Sequence, residues 1–332
     1  MITKNLFDKV LVDPVKDGAD TLCIVSGYAT AAMTFRHFEA VKRIYDKQIH
    51  INLIVGMCPY DGLSLSNHKA FQAFSSVDFH GFFECSYIVN SPPVHSKSYV
   101  WLQGKKPICG FIGSANYTQN AFSNNQRELL AQYDPKLGVD YFQSLIHDTI
   151  YCTHHEIENH IEIYRDTYYA RRRREQFERQ GLHLITSETP DLQGLPAVRI
   201  SLLDNRSSLP QRSGLNWGQR PEERREPNQA YIRLPSTVYR TDFFPPATAH
   251  FTVLTDDNKV LICTRAQQNG KAIHTPHNNS LIGEYFRNRL GIPFGQPVTK
   301  TSLIRYGRTD IDFYKIDEET YFMDFSVPTH RG

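Results

Sequence analysis

The residue types best suited to chemistry in this chain fall within one window of 34 residues. In sequence order they are His95, Lys97, Ser114, Asn116 and Glu128. A neutral imidazole can attack phosphorus and form a covalent phosphoryl-histidine. An ammonium, a hydroxyl and an amide can hold the non-bridging oxygens of a phosphodiester, and a carboxylate can orient the imidazole and stabilise its cation. The set therefore predicts attack on a phosphodiester without a metal ion.

Three short extended segments are expected to position these groups. Residues 94–102 and 108–112 are rich in β-branched, aromatic and other apolar side chains, and residues 126–133 form a third extended run. Because side chains alternate across a strand, residues two apart in these segments point the same way. Neighbouring strands would bring all five groups to one end of a sheet.

The order His-x-Lys followed by Gly-Ser-x-Asn resembles the signature of the phospholipase D superfamily. The residues that match are His95, Lys97, Gly113, Ser114 and Asn116. The superfamily motif usually has an aspartate after a four-residue gap beyond the lysine, where this chain has Leu102. Some nuclease branches lack that aspartate and place a glutamate after the asparagine, which Glu128 fits. The resemblance therefore implies a nuclease rather than a lipase.

The same resemblance implies an active site shared between two copies of the chain. Superfamily enzymes use two histidines, one attacking phosphorus and the other protonating the leaving oxygen, and this chain has one His-x-Lys sequence. A symmetric homodimer would pair His95 with its counterpart. In that arrangement Lys97 and Asn116 would hold the phosphate, Ser114 would assist, and Glu128 would orient His95.

Composition limits the classes of protein that this chain can represent. Its 332 residues suffice for two domains, and no apolar run approaches the roughly 18 residues of a membrane span. The sequence begins without the apolar stretch of a signal peptide. None of the six cysteines belongs to a Cys-x-x-Cys pair, which favours free thiols in a reducing cytoplasm. The histidines at 154, 155 and 160 lack partnering cysteines, so we expect no metal and no cofactor in this chain.

The net charge of +2 hides an uneven distribution of arginine, because 20 of the 23 arginines follow residue 160. Guanidinium groups read phosphates and guanine edges better than ammonium groups do. The C-terminal half is therefore expected to bind nucleic acid. The run Arg171–Arg174 lies in a charged segment, 161–190, predicted to be a helical linker. It is either simply solvated or contacts DNA phosphate or the acidic face of the first domain, where it would hold the enzyme inactive.

The sequence predicts two domains of different class. Over 1–160, strands alternate with helices, which favours an α/β domain with a mixed sheet flanked by helices. One helix is expected over 31–45 with Thr30 as its N-cap, and another from about residue 140 into the 160s. Over 191–332, short strands and turns predict a small β-barrel with one or two helices, one of them over 281–290.

Two irregular polar segments of the second domain, 206–229 and 265–279, are candidate DNA-binding arms. Asparagine and glutamine can pair with adenine, and arginine or lysine with guanine. The candidates in the first arm are Arg206, Arg212, Asn216, Trp217, Gln219, Arg220, Arg224 and Arg225. Those in the second arm are Arg265, Gln267, Gln268, Asn269, Lys271 and His274. The alternative is a pair of surface loops without a ligand.

The two-domain organisation and the run SGLNWGQR at 213–220 resemble the NgoFVII-type restriction endonucleases. Their C-terminal reader is similar to the B3 DNA-binding fold, in which two arms enter the major groove, and the two polar segments correspond to those arms. The resemblance implies metal-independent, sequence-specific cleavage of double-stranded DNA, here at a short G·C-containing site, by a prokaryotic, cytoplasmic, DNA-associated enzyme. Domains are then expected at 1–160 (phospholipase D-like nuclease) and 191–332 (B3-like reader).

Some members of that family need a separate helicase-like ATPase subunit. This chain contains no Gly-x-x-x-x-Gly-Lys-Ser/Thr sequence, so ATP would act only through such a partner. Two alternatives stay open. One is a phospholipase D-type phosphodiesterase without sequence specificity, and the other is a DNA-binding regulator whose nuclease site is silent.

Overall fold

The computed structural model describes residues 1–123, 126–165, 192 and 194–327, in two compact units, Met1–Arg165 and Asp166–Gly332. Nearly all of the predicted linker lies outside the described residues, including the Arg171–Arg174 run. Its first residues form a strand, Ile163–Tyr164, where the sequence predicted helix.

The first unit is an α/β domain built on a mixed sheet. Its strands are β1 (Thr21–Ser26), β2 (His50–Val55), β3 (Leu63–Ser64), β4 (Phe83–Ile88), β5 (Lys97–Gln103), β6 (Lys106–Gly113), β7 (Leu130–Tyr133), β8 (Thr149–Tyr151) and β9 (Ile163–Tyr164). Seven of them form one sheet in the order β7-β6-β5-β1-β2-β4-β8. Strands β1, β2 and β4 are parallel, whereas β5, β6, β7 and β8 each run antiparallel to the neighbour they join.

Short and medium helices cover this sheet. They are α1 (Asp13–Lys16), α2 (Ala31–Tyr45), α3 (Cys58–Asp61), α4 (Leu65–Ala73), α5 (Gln119–Phe122), α6 (Pro135–Leu145) and α7 (Ile157–His160). Thr30 caps α2 as predicted, because its side chain accepts a hydrogen bond from the Met33 amide. The long helix predicted from about residue 140 is wrong: α6 ends at Leu145, and β8 separates it from α7.

The second unit is a nearly closed barrel of short strands, as predicted. Its strands are β10 (Ala197–Ser201), β11 (Ile232–Arg233), β12 (His250–Thr255), β13 (Val260–Ala266), β14 (Ala272–His274), β15 (Asp310–Lys315) and β16 (Thr320–Asp324). Its helices are α8 (Ser236–Tyr239), α9 (Leu281–Leu290) and α10 (Lys300–Tyr306). The strand order is β10-β15-β16-β12-β13-β14-β11, and β12 with β16 is the parallel pair. Gly291 ends α9 with φ +64°, a left-handed conformation that favours glycine.

Several arginines of this unit stabilise the barrel, which changes the meaning of the uneven arginine distribution. Arg287 is fully buried and donates to the carbonyl oxygens of Gln296 at 2.7 Å and Gly283 at 3.2 Å. Arg308 is also buried and pairs with Asp312 at 2.6 Å. A buried guanidinium needs partners of this kind, because its desolvation is costly. Part of the arginine excess is therefore structural and is not available to nucleic acid.

Among the described residues, no helix is both long enough and apolar enough to cross a membrane.

Candidate active site and nucleic-acid interface

The candidate catalytic residues lie at one end of the first sheet. Lys97, the first residue of β5, pairs with Ser26 at the end of β1. Gly113, the last residue of β6, pairs with Leu130 at the start of β7. Because these strands alternate in direction, the ends that carry the candidate residues meet at one edge. The sequence predicted this convergence from three extended segments, and the sheet order confirms it.

His95 lies just before β5 rather than inside it, although the sequence predicted a strand from residue 94. Its imidazole is exposed, whereas Lys97 is only 5% exposed. The Nζ atom of Lys97 lies 3.2 Å from each ring nitrogen of His95 and donates to the His95 carbonyl oxygen at 2.5 Å. Burial lowers the pKa of Lys97, and the nearby charge of Glu128 partly opposes this. A cation is thus fixed beside an accessible imidazole.

The orientation of the Asn116 amide follows from its neighbours. Its Oδ1 accepts a hydrogen bond from the backbone N–H of Tyr28 at 3.2 Å, and the hydroxyl of Ser26 lies 3.5 Å from the same oxygen. A backbone N–H can only donate, so the atom that faces it must be the oxygen. The Nδ2 group is then left to donate elsewhere, as phosphate binding requires.

Ser114 and Glu128 form a pair of their own. The Ser114 hydroxyl donates to the Glu128 carboxylate and accepts from the backbone N–H of Leu129 at 3.1 Å. In the described part of the chain, the hydrogen bond of Glu128 therefore runs to Ser114 and not to His95. In this structure the Glu128 carboxylate is bonded to Ser114, beside the start of β7, and its expected role in orienting the His95 ring stays a prediction.

Two glycines let the chain pass close to this edge. A Cβ built on Gly113 would overlap the carbonyl oxygen of Leu129, so the serine after it can lie against β7 only if residue 113 lacks a side chain. A Cβ on Gly27 would lie 3.3 Å from His95 Cδ2 and 3.4 Å from Asn116 Oδ1. Gly27 therefore forms the floor between these two side chains.

The loop after β1 also lies at this edge, although the sequence did not predict it. Ser26, Gly27 and Tyr28 contact His95 or Asn116, yet none was a candidate. The available signal was their place directly after a buried strand, in the sequence TLCIVSGY. In a mixed sheet, loops at the carboxyl ends of parallel strands often carry functional groups.

Histidines at 154, 155 and 160 are the residues whose types could also suggest a metal site. Within the described ranges, no cluster of three or more His, Cys, Asp or Glu side chains is arranged to hold a metal ion. The rings of His154 and His155 stack at 4.7 Å between centroids, in a turn before α7.

The first arm of the barrel is ordered by its own polar side chains, which corrects the expectation for Asn216. Asn216 is 1% exposed, and its amide bonds the backbone of Val298 through both Oδ1 and Nδ2 at 2.8 Å each. The Gln219 amide likewise donates to the carbonyl oxygens of Pro227 at 2.9 Å and Gly295 at 3.0 Å. Both amides therefore hold the loop in shape through bonds to its backbone.

The aromatic and charged candidates of this arm lie nearer the surface. The Arg225 guanidinium stacks 4.3 Å from the centre of the Trp217 ring. Three candidate arginines also form ion pairs with glutamates of the same loop: Arg212 with Glu222, and Arg220 and Arg225 with Glu223. Arg206 and Arg224 are exposed and make no ion pair with another described residue. These two are the best placed of the eight to meet DNA.

The second arm divides in the same way. Arg265 donates to the carbonyl oxygens of Tyr239 at 2.6 Å and Gly270 at 3.1 Å, and burial lowers its pKa. It therefore fixes the turn, which corrects its assignment as a DNA contact. His274 is engaged as well, since Nδ1 lies 2.7 Å from Asn279 Oδ1.

The tip of this arm is exposed and conformationally unusual. The exposed tip residues are Gln267, Gln268 and Asn269. Gln267 has φ +65° and ψ +168°, and Asn269 has φ +63°. Residues other than glycine rarely adopt such backbone angles, which cost about 1–3 kcal/mol each. Residues strained in this way occur most often at functional sites. Lys271, whose Nζ lies 5.7 Å from the centre of the Tyr239 ring, borders the tip.

Comparison with known families accounts for both units. The model of the NgoFVII restriction endonuclease N-terminal PLD domain matches residues 4–159, and that of the NgoFVII C-terminal B3-like DNA-binding domain matches residues 191–317. Together the two matches span most of the chain.

The chain belongs to the NgoFVII restriction endonuclease family. It is accordingly an endonuclease, a phosphodiesterase of the phospholipase D superfamily, and DNA is its partner.

Comparisons with individual proteins add little to this assignment. The chain matches no curated protein. Among solved structures it is similar to NucT from Helicobacter pylori, with 17% identity, 45% of this chain and 96% of that chain covered, and a TM-score of 0.32. It is also similar to polyphosphate kinase from Porphyromonas gingivalis, with 15% identity, 53% and 26% coverage, and a TM-score of 0.29. Neither likeness is strong enough to bear on function.

For this NgoFVII-family chain, the candidate residues now separate into three groups. The catalytic set, described above, is gathered at one edge of the PLD domain. In the B3-like domain, Asn216, Gln219 and Arg265 hold the arms in shape. The residues that remain as candidates for DNA contact are the exposed Arg206, Arg224, Gln267, Gln268 and Asn269, together with the half-buried Lys271.

Proposed function

We propose that this chain cleaves double-stranded DNA at a short specific sequence through a covalent phosphohistidine on His95. The observation that carries the proposal is the edge where the exposed His95 ring lies 3.2 Å from the Lys97 ammonium, with Asn116 across the Gly27 floor. The second unit matches a B3-like DNA-binding domain, which supports DNA as the substrate and a specific sequence as the target.

The first chemical step is an in-line displacement at phosphorus. A ring nitrogen of His95 attacks, a P–N bond forms, and the bond from phosphorus to one deoxyribose oxygen breaks. The departing oxygen takes a proton from a second imidazolium. Water then attacks phosphorus, the P–N bond breaks, and the water proton returns to the second imidazole. His95 leaves as the neutral base with which it began.

The donors around His95 suit the charge that develops during this displacement. The Lys97 ammonium and the Asn116 Nδ2 group would bind the non-bridging oxygens. Because the Tyr28 amide and the His95 carbonyl already hold these side chains, little reorganisation is needed in the transition state. Ser114 and Glu128 act as a pair: the carboxylate orients the hydroxyl and supports the positive charge of Lys97.

We propose that the second imidazole comes from a second copy of the chain. A symmetric dimer through the PLD domain would place two His95 side chains on either side of one phosphate. One such site per dimer would cut one strand at a time. A fully active enzyme that light scattering shows to be monomeric would refute the shared active site.

Sequence recognition is assigned to the exposed residues of the two arms. Gln267, Gln268 and Asn269 can pair with base edges, and Arg206 and Arg224 with guanine or phosphate. A G·C-containing site is the simplest expectation. The Arg171–Arg174 run, which the structure does not describe, remains a candidate for phosphate contact or for restraint of the nuclease.

Metal and nucleotide requirements follow from the same chemistry. The proposed nucleophile is a side chain and the proposed charge stabilisers are Lys97 and Asn116, so we propose that the reaction in the prokaryotic cytoplasm proceeds without a metal ion. Any ATP requirement would belong to a separate helicase-like subunit.

The decisive experiment is cleavage of a DNA library of random sites in the presence of EDTA, with and without a candidate ATPase subunit. Fragment ends would report the recognition site and the cut position. Comparison of the reactions with and without the ATPase subunit would report whether cleavage depends on that partner. Loss of cleavage in EDTA with recovery in Mg²⁺ would refute the metal-free mechanism. His95→Ala should abolish cleavage and keep DNA binding; a variant that still cuts would refute the role of His95.

A further inference from the structure

Tyr28 is placed to control the position of the exposed His95 ring. The two rings meet edge to face, with centroids 6.2 Å apart and planes at 83°. Tyr28 lies at the end of the Ser26–Gly27–Tyr28 loop, and its backbone N–H orients Asn116. One residue therefore contacts two members of the catalytic set, His95 through its ring and Asn116 through its backbone amide.

The phenol of Tyr28 is itself anchored. Its hydroxyl donates to Oδ2 of Asp61 at 2.5 Å. Asp61 is the last residue of α3, and its backbone N–H donates to the Met57 carbonyl oxygen at 2.9 Å. Met57 in turn donates from its own amide to the Gly27 carbonyl oxygen at 3.0 Å. The anchor is thus tied back to the floor beneath His95.

The charge of Asp61 is hard to explain as a DNA contact. A carboxylate at the rim of a site for a polyanion repels the substrate. A charge-assisted hydrogen bond from the phenol, however, is stronger than a neutral one and holds an otherwise mobile ring. Tyr28 is 40% exposed, so packing alone does not fix it.

Resting on the proposed function, we propose that Asp61 and Tyr28 form a positioning pair that limits rotation of the His95 ring and keeps it in line for attack. His95 receives its other polar ring contacts from Lys97, which must also bind phosphate. The pair therefore supplies a restraint that does not compete with the substrate. Its loss would lower kcat rather than raise KM, since displacement of a nucleophile by a fraction of an ångström weakens the reactive geometry and not binding.

The test compares Tyr28→Phe, Asp61→Ala, Asp61→Asn and the double variant Tyr28→Phe/Asp61→Ala, with Tyr60→Phe as the matched control. Tyr60 neighbours Asp61 but is 79% exposed. We expect Tyr28→Phe and Asp61→Ala each to lower kcat by about fivefold to tenfold with KM within about twofold. Asp61→Asn keeps an acceptor and should restore most of kcat, and the double variant should be no worse than either single variant. Multiplicative losses in the double variant, or a kcat unchanged in Asp61→Ala, would overturn the proposal.

A second readout separates this proposal from the function on which it rests. In DNA-free protein with labelled histidine and tyrosine, the nuclear Overhauser effect between the His95 and Tyr28 rings should weaken in Asp61→Ala and persist in Asp61→Asn. Equal intensities in all variants would overturn the positioning role even if the enzyme cuts DNA. Failure of the wild-type chain to cut any DNA, both alone and with the candidate ATPase subunit, would refute the proposed function and leave this measurement to decide the positioning role.

Discussion

Asn116→Asp is the substitution that most directly tests the role of the amide. Aspartate has nearly the same shape, so one carboxylate oxygen can still accept from the Tyr28 N–H, as Oδ1 does now at 3.2 Å. The other position changes from an NH₂ donor to an oxygen. The fold is therefore preserved, while the Nδ2 group of Asn116, which is proposed to bind the phosphate, is replaced by an oxygen that has no hydrogen and carries negative charge.

The expected loss follows from the nature of the interaction. Removing one preorganised donor from a developing oxyanion costs about 2.7–4 kcal/mol, which is about a hundredfold to a thousandfold in kcat. Repulsion between the new carboxylate and the phosphate acts in the same direction. We therefore expect kcat to fall at least about a hundredfold, and to fall further at low salt, where the repulsion is less screened.

The assay is single-turnover cleavage of a plasmid that carries the site found in the library experiment, with binding measured by gel shift and folding by thermal unfolding. Asn159→Asp is the matched control, because Asn159 lies exposed in α7, after the strand at the opposite edge of the sheet. The control should cut at the wild-type rate. A folded, DNA-binding Asn116→Asp enzyme that cuts within threefold of wild type would refute the assigned role of the amide.

Four further outcomes are expected. Glu128→Gln removes the charge that raises the pKa of Lys97, so the alkaline limb of the pH–rate profile should move to lower pH; an unmoved limb would contradict their coupling. Asn216→Ala should lower the free energy of unfolding by about 1–3 kcal/mol in chemical denaturation, because it leaves buried backbone groups of Val298 unpaired; weaker DNA binding at full stability would point instead to base reading. Gln267→Gly should raise the free energy of unfolding by about 1 kcal/mol in chemical denaturation, because glycine adopts a φ of +65° without strain, and it should weaken DNA binding in gel shifts. Burial lowers the pKa of His37 to about 4. The contribution of the neutral His37 ring to the free energy of unfolding should therefore be fully present above pH 6.5 and should fall as the pH drops toward 4. A His37→Gln variant should lose that pH dependence in thermal melts.

The place of the candidate catalytic residues in the sheet could be predicted because its signal is local. The spacing of His95, Lys97, Ser114 and Asn116 places each side chain within three residues of the end of a strand. Strand alternation and antiparallel pairing then determine which ends meet. The class of each domain was predictable for the same reason, since alternating strands and helices in the first unit and short strands in the second are regular along the chain.

The roles of single polar residues could not be predicted, because they depend on contacts distant in sequence. Asn216 is buried, and its amide is hydrogen-bonded to the backbone of Val298, 82 residues further along the chain. Arg265 is held by the Tyr239 carbonyl, which only barrel closure brings near. Residue type predicts what a side chain can bind, whereas tertiary packing decides whether it meets a protein carbonyl or a base.

The internal hydrogen bonds of the two arms hold both loops in shape without DNA. Ordering a flexible side chain on binding costs about 0.5–1.5 kcal/mol each. In this domain Asn216, Gln219 and Arg265 meet that cost during folding, through bonds to the backbone of their own unit. The exposed tip can then place its amides with little further loss of entropy. Rigid arms also penalise a wrong base more strongly, since a side chain that cannot move leaves a mismatched donor or acceptor unpaired. We therefore expect the proposed specificity to depend on the Asn216 and Gln219 amides, which shape the first arm, as much as on the exposed residues of the two arms.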